Sequence, residues 1–143
     1  MHSTIERTKR PPTVLVIDDE YPILELLSEA LGEEGFHIAV AGNLQAALTL
    51  LDRQHFDLVL ADSLASFDAA GLNIWGALER ILERAALSSV IIFSAHPARY
   101  FADLRERGFA GYVAKPFDLD ILAATLRGFL TPASGSFPRA SVL

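Results

Sequence analysis

The chain has 143 residues, 51% of them hydrophobic, and a formal net charge of −6. That is enough for one domain with a real core, too little for two ordinary ones, and too apolar for a disordered chain. It contains no cysteine, which excludes disulfides and thiolate metal sites and fits a reducing compartment, so a cytoplasmic protein is expected.

No apolar run is long enough to span a bilayer, and no membrane association is expected. The opening "MHSTIERTKRPP" is polar and basic, without the apolar stretch of a secretory signal. Residues 1–11 are read as a flexible basic segment, 12–130 as the folded domain, and the Ser-, Pro- and Gly-rich residues 131–143 as a flexible tail. The terminal segments mask charge. Between 13 and 130 there are 8 basic and 17 acidic residues. Such a globule is a poor partner for nucleic acid, and direct DNA binding is not expected. It suits a cation or a basic protein surface.

In chain order, "TVLVI" (13–17) is short and apolar enough for a strand, and three carboxylates follow it: Asp18, Asp19 and Glu20. Ile23, Leu24, Leu27, Ala30 and Leu31 recur at helical spacing. Pro22 suits the first turn of that helix and Gly35 its end. "FHIAVAG" (36–42) alternates, as a half-exposed edge strand does. Asn43 is an N-cap for a helix to about Asp52. "DLVLAD" (57–62) and "SVIIFS" (89–94) are apolar like central parallel strands. A helix over roughly 72–86 joins them through Leu72, Trp75, Leu78, Ile81 and Leu82. Pro97 opens a helix ending near Gly108, "GYVAK" (111–115) is the fifth strand, and Asp118 caps a last helix through Leu119, Leu122, Leu126 and Phe129.

Five strands alternating with five helices predict a doubly wound α/β sandwich. Right-handed crossovers and an edge-like second strand favour the parallel order 2-1-3-4-5. Ligands bind at the carboxyl ends of such strands. Strand one ends there in Asp18, Asp19 and Glu20, strand three in Asp62, strand four in Ser94 and strand five in Lys115. Singly, each has a structural reading: an Asp after a strand turns the chain, Ser94 caps a helix, Lys115 is a solvated charge. Their convergence on one rim argues for chemistry. Asp18, Asp19 and Asp62 form an anionic oxygen cluster without His or Cys, which suits a hard divalent cation such as Mg²⁺ (or Mn²⁺). A carboxylate in such a site can attack a phosphoryl group and form an acyl phosphate. A metal and a nearby Lys would offset charge on the transferring oxygens. Glu20 is read as solvent-facing at the helix start, where negative charge is mildly favourable.

"VLVIDDE", "FDLVLAD", "VIIFSA" and "GYVAKPF" together resemble the receiver domain of two-component response regulators, over about residues 12–130. The resemblance implies a flavodoxin-like (βα)5 sandwich with Asp62 as phosphoacceptor. It implies that Asp19 binds Mg²⁺ directly, that Asp18 helps through water or hydrogen bonds, and that the Leu64 carbonyl adds a ligand. Lys115 then pairs with the acceptor and later with the phosphoryl group. Ser94 takes the switch hydroxyl position, Tyr112 the switch aromatic position, and the Lys115–Pro116 bond is cis. Leu64 and His96 flank the phosphoryl position as modulators of phosphate lifetime, against the plainer reading of His96 as an exposed loop residue.

The family usually carries Pro four residues after the acceptor and Gly eight after. Here Ser66 and Ala70 stand there, with Gly71 one later, so the loop reads one residue longer and lacks its stiffening proline. The implied function is a single-domain regulator phosphorylated by a sensor histidine kinase or histidine phosphotransfer protein. It would signal through an unidentified downstream protein or onward relay, with no separate catalytic domain and with homodimerisation left open. Two rivals stand beside it. One is a degenerate receiver acting only as a protein-binding module. The other is an Asp-based phosphohydrolase, which would usually place a second acid where Leu64 stands.

Overall fold

The computed structural model of the chain describes residues 10–64 and 73–130. Residues 1–9 of the N-terminal segment, the C-terminal tail 131–143 and the loop positions Ser66, Ala70 and Gly71 lie outside them. Strands β1 (Thr13–Ile17), β2 (His37–Ala41), β3 (Leu58–Ala61), β4 (Ser89–Ser94) and β5 (Gly111–Ala114) form one parallel sheet in the order β2-β1-β3-β4-β5. This is the expected order. The four inter-strand segments contain α1 (Tyr21–Glu33), α2 (Leu44–Arg53), α3 (Gly76–Arg84) and a 3₁₀ turn (Ala98–Phe101), and α4 (Leu119–Leu130) closes the fold.

Side chains alternate across the strands and create two cores. Val14, Val16, Leu58, Leu60, Ile91 and Phe93 face α1 and α4. Leu15, Ile17, Val59, Ala61, Val90 and Ile92 face α2 and α3. Every residue of β3 is buried, while the edge strand β2 is mostly half-buried or exposed. The expected punctuation is present: Pro22 in the first turn of α1, Gly35 at φ 99°, and the Asn43 side chain accepting the Ala46 N–H at 2.8 Å. Asp118 accepts the Ile121 N–H at 3.0 Å at the start of α4.

Three expectations need correction. The segment 97–108 does not form an α-helix. After the 3₁₀ turn it continues as turns to Gly108. Tyr100, Leu104, Arg107 and Gly108 donate to carbonyls three residues back, and only Arg107 adds a four-residue bond, to Asp103. Phe101 is buried and Asp103, Leu104 and Arg107 are half-buried, the apolar pair Phe101 and Leu104 and the stacked Arg107 being spaced by three. That spacing matches the three-residue period of 3₁₀ winding. The helix expected from about residue 72 begins at Gly76. Asn73 Oδ1 accepts the Trp75 N–H at 3.2 Å, a local turn that competes with helical bonding. Strand β3 also stops short of Asp57. The Asp57 carboxylate accepts from the Thr13 N–H at 2.8 Å and the Thr13 hydroxyl at 3.2 Å, and Asp57 N–H donates back to Thr13 Oγ1, tying the lower ends of β1 and β3.

Candidate phosphoryl and metal site

Register decides which rim residues meet. Ile17 pairs with Ala61 across β1 and β3, so Asp18 and Asp62, each the next residue, leave the sheet side by side. The ladder continues past the strands. Asp62 N–H donates to the Ile17 carbonyl at 3.0 Å and Asp18 N–H to the Ala41 carbonyl at 3.1 Å. On the other side Ser94 pairs with Ala114, and Lys115 N–H donates to the Ser94 carbonyl at 2.9 Å.

Carboxylate oxygens of Asp18, Asp19 and Asp62 lie within 4.8 Å of one another. Asp18 is fully buried, Asp62 nearly so, and Asp19 exposed. One cation faces them. Lys115 Nζ lies 2.5 Å from Asp18 Oδ2 and 3.3 Å from Asp62 Oδ1, and 4.8 Å from the centroid of the Phe93 ring. The other Asp18 oxygen accepts the Glu20 N–H at 2.8 Å. Asp62 Oδ2 accepts the Leu64 N–H at 3.0 Å, and Leu64 sits in the left-handed region at φ 56°. An L-residue adopts that conformation at a cost. Glu20 is exposed at the N-cap of α1 and stands outside the carboxylate cluster.

Burial pushes the Asp62 carboxyl above its ordinary range; Lys115 opposes this and the Asp18 charge adds to it. Burial also works against the Lys115 charge, but its hydrogen bond with Asp18 and the charges of Asp62 and Asp18 outweigh it, and the Lys115 pKa is raised. Both shifts retain protons, as a site with three carboxylates and one ammonium should. That imbalance, and a donor set made only of oxygen, fit a hard divalent cation.

Ser94 is buried. Its Oγ accepts the His96 N–H at 2.9 Å, which leaves its own O–H available to donate. The Tyr112 hydroxyl donates to the His96 carbonyl at 2.5 Å and lies 3.4 Å from the Ser94 carbonyl. The His96 backbone is therefore held on both sides, its N–H by Ser94 and its carbonyl by Tyr112. Burial raises the Tyr112 phenol above its ordinary pKa. The His96 side chain is half-exposed, its ring 6.3 Å from that of Tyr100. The Lys115–Pro116 bond is cis. A groove lined by Asp19, Gly42, Asn43, Leu44, Leu64 and Arg80 opens beside the carboxylates.

Of the rim residues singled out in the sequence, Asp18, Asp19, Asp62 and Lys115 thus come together, Ser94 stands at the adjoining strand end, and Glu20 lies outside the cluster. The reading missed what stands behind Tyr112. Its ring packs on Phe101, which packs on Trp75. The aromatic residues were visible, but helical periodicity assigned Trp75 to ordinary helix packing.

The family model described as response regulator receiver domain matches residues 14–127. The chain is 33% identical over 123 residues to the probable transcriptional regulatory protein TcrX of Mycobacterium tuberculosis, covering 85% of this chain and 50% of that protein. It spans about a quarter of the length of several other transcriptional regulators that it matches. It is 31% identical over 119 residues to sporulation initiation phosphotransferase F of Bacillus subtilis, covering 82% of this chain and 92% of that one. Among solved structures, the response regulator TrrA of Thermotoga maritima, in complex with Mg²⁺-BeF, superposes with a TM-score of 0.66 at 31% identity, over 83% of this chain and 99% of that one.

Proposed function

We propose, because this chain belongs to the response regulator receiver domain family, that Asp62 accepts a phosphoryl group from a phosphohistidine of a sensor histidine kinase or phosphotransfer protein. The observation that carries this is the setting of Asp62. It is a nearly buried carboxylate beside Lys115, in a cluster with Asp18 and Asp19, and one of its oxygens is held by the Leu64 N–H. An Asp62 oxygen attacks phosphorus, the P–N bond breaks as the P–O bond forms, and the departing imidazole takes a proton. Water later attacks the acyl phosphate, releasing inorganic phosphate and restoring the carboxylate.

Asp18, Asp19, Asp62 and the Leu64 carbonyl would hold Mg²⁺ or Mn²⁺, which when bound neutralises charge on the transferring oxygens. Lys115 presents a second positive charge to the phosphoryl group. The Ser94 hydroxyl donates to one of its oxygens, drawing on the His96 turn that Tyr112 also holds. Leu64 and His96 flank the group and set its lifetime. The Mg²⁺-BeF complex of the TrrA relative supports the metal reading. The match to nearly the full length of a phosphotransferase supports a regulator that signals through a partner protein or onward relay. The domain assists only its own phosphotransfer and dephosphorylation, and it acts in the cytoplasm without contacting DNA. Among the described residues no helix is long and apolar enough to cross a membrane.

Incubation with Mg²⁺ and a small acyl phosphate tests the reading. The intact mass should rise by one phosphoryl group in the wild type and stay constant in Asp62→Asn. An unmodified wild type would overturn it.

A further inference from the structure

A run of ring contacts leads away from Tyr112. Tyr112 packs on Phe101 with centroids 5.5 Å apart, and Phe101 meets Trp75 edge-on at 5.5 Å and 88°. Phe109 adds a second contact on Trp75 at 5.6 Å. The Arg107 guanidinium carbon lies 3.9 Å from the Trp75 ring centroid. Arg107 is also paired with Glu79 of α3 at 2.6 Å and with Asp103 at 2.9 Å. The Trp75 carbonyl accepts the Glu79 N–H at 2.8 Å, closing the first turn of α3. Side chains from β5, the 3₁₀ turn and the start of α3 therefore form one continuous stack, clamped by a cation at its outer end.

Such a stack has little freedom. Phe101 is 1% exposed, and close-packed interiors leave no room for one ring to move without moving the next or opening a cavity. Aromatic pairs hold specific mutual geometries, and a guanidinium stacked on indole adds attraction. Tyr112 has both an anchor, its bond to the His96 carbonyl, and a lever, its ring on Phe101.

We infer that Trp75, held by Arg107, is a positioning residue for Tyr112: through Phe101 it sets the Tyr112 ring, so that the hydroxyl's hold on His96 and the first turn of α3 loosen or tighten together. The inference takes its meaning from the switch aromatic position that the family resemblance implies for Tyr112, but its test requires no phosphoryl donor. The regulatory consequence is that the start of α3, the next helix after Asp62 among the described residues, responds to the state of β5.

Trp75 is the single tryptophan of the chain, so its fluorescence reports the far end of the stack. Tyr112→Phe keeps the ring and removes the anchor. It should shift Trp75 emission and speed amide exchange in the first turn of α3 about tenfold, the scale of coupling between contacting residues. In a Phe101→Leu background, the same change should have no further effect on either readout. Arg107→Lys keeps the charge but loses the flat stacking face. It supplies the same background at a half-exposed position should Phe101→Leu fail to fold. Emission and exchange unchanged by Tyr112→Phe, or changed equally in the altered backgrounds, would overturn the inference. The mass gain on phosphorylation is read separately, so failure of the phosphoacceptor reading is distinguishable from failure of this one.

Discussion

Lys115 Nζ lies 2.5 Å from Asp18 Oδ2, closer than the 3.3 Å that separates it from Asp62 Oδ1. The family resemblance pairs this lysine with the acceptor, yet the tighter partner is the fully buried Asp18. Asp18 is accordingly committed on both oxygens, to Lys115 and to the Glu20 N–H. Asp62 is held more loosely and is slightly more exposed. That division suits an arrangement in which Asp18 fixes the ammonium, while Asp62 Oδ2 accepts the Leu64 N–H at 3.0 Å and its Oδ1 meets Lys115 only at 3.3 Å.

Replacing Lys115 by Met should therefore strip from two buried carboxylates the cation that, among the described residues, pairs with both. Breaking one side of such a pair leaves uncompensated charge, and a loss of about 3 kcal/mol at neutral pH is expected. The deficit should narrow as pH falls and Asp62, whose carboxyl is raised by burial, takes up a proton. Urea melts at several pH values measure it; a deficit that stays constant would show that lost packing, not charge, is the cause.

Asp19→Asn removes one of three mutually repelling carboxylates at an exposed position. At the 4.8 Å spacing that bounds the cluster, the relief is on the order of 1 kcal/mol in a water-like dielectric. Thermal melts in EDTA should show the variant more stable than wild type by about 3 °C. Saturating Mg²⁺ should raise the wild-type midpoint and raise that of the variant far less. Equal Mg²⁺ responses would remove Asp19 from the proposed ligand set.

Tyr112 gives a pH signature. Its folded pKa is raised above the unfolded value by burial, so the folded state holds the phenolic proton more tightly. The resulting stability is fully present below about pH 10 and is lost as pH rises through the folded value. Lys115, also raised, acts in the same sense. Tyr112→Phe should lessen the alkaline decline without abolishing it. Denaturation midpoints compared between pH 9 and 11 check the slope.

Leu87 offers a control away from the site. It sits at φ 73° and is 95% exposed. It occupies the third position of a turn closed by the Ser88 N–H and the Ala85 carbonyl at 2.9 Å. Glycine is preferred at that position because it lacks a Cβ. Leu87→Gly should stabilise the protein by about 0.5–1 kcal/mol after the unfolded-state entropy is counted, and should leave phosphorylation unchanged. Leu64→Gly relieves similar backbone strain but, next to the acceptor, should alter phosphate lifetime as well.

The order of elements, the sheet order and the identity of the rim residues were legible in the sequence by itself. Apolar runs, helical spacing and capping residues are local signals, and the handedness of crossovers converts them into a topology. Once β1, β3, β4 and β5 lie parallel, Asp18, Asp62, Ser94 and Lys115 must share an edge. Only the tertiary structure decided how segment 97–108 winds, where α3 begins and which carboxylate Lys115 prefers. Each of these depends on contacts between residues distant in the chain. Phe101 and Arg107 turn inward every third residue because Trp75 and Tyr112 wait there. Lys115 takes Asp18 because the strand register brings a fully buried charge within its reach, and local periodicity carries no record of either meeting.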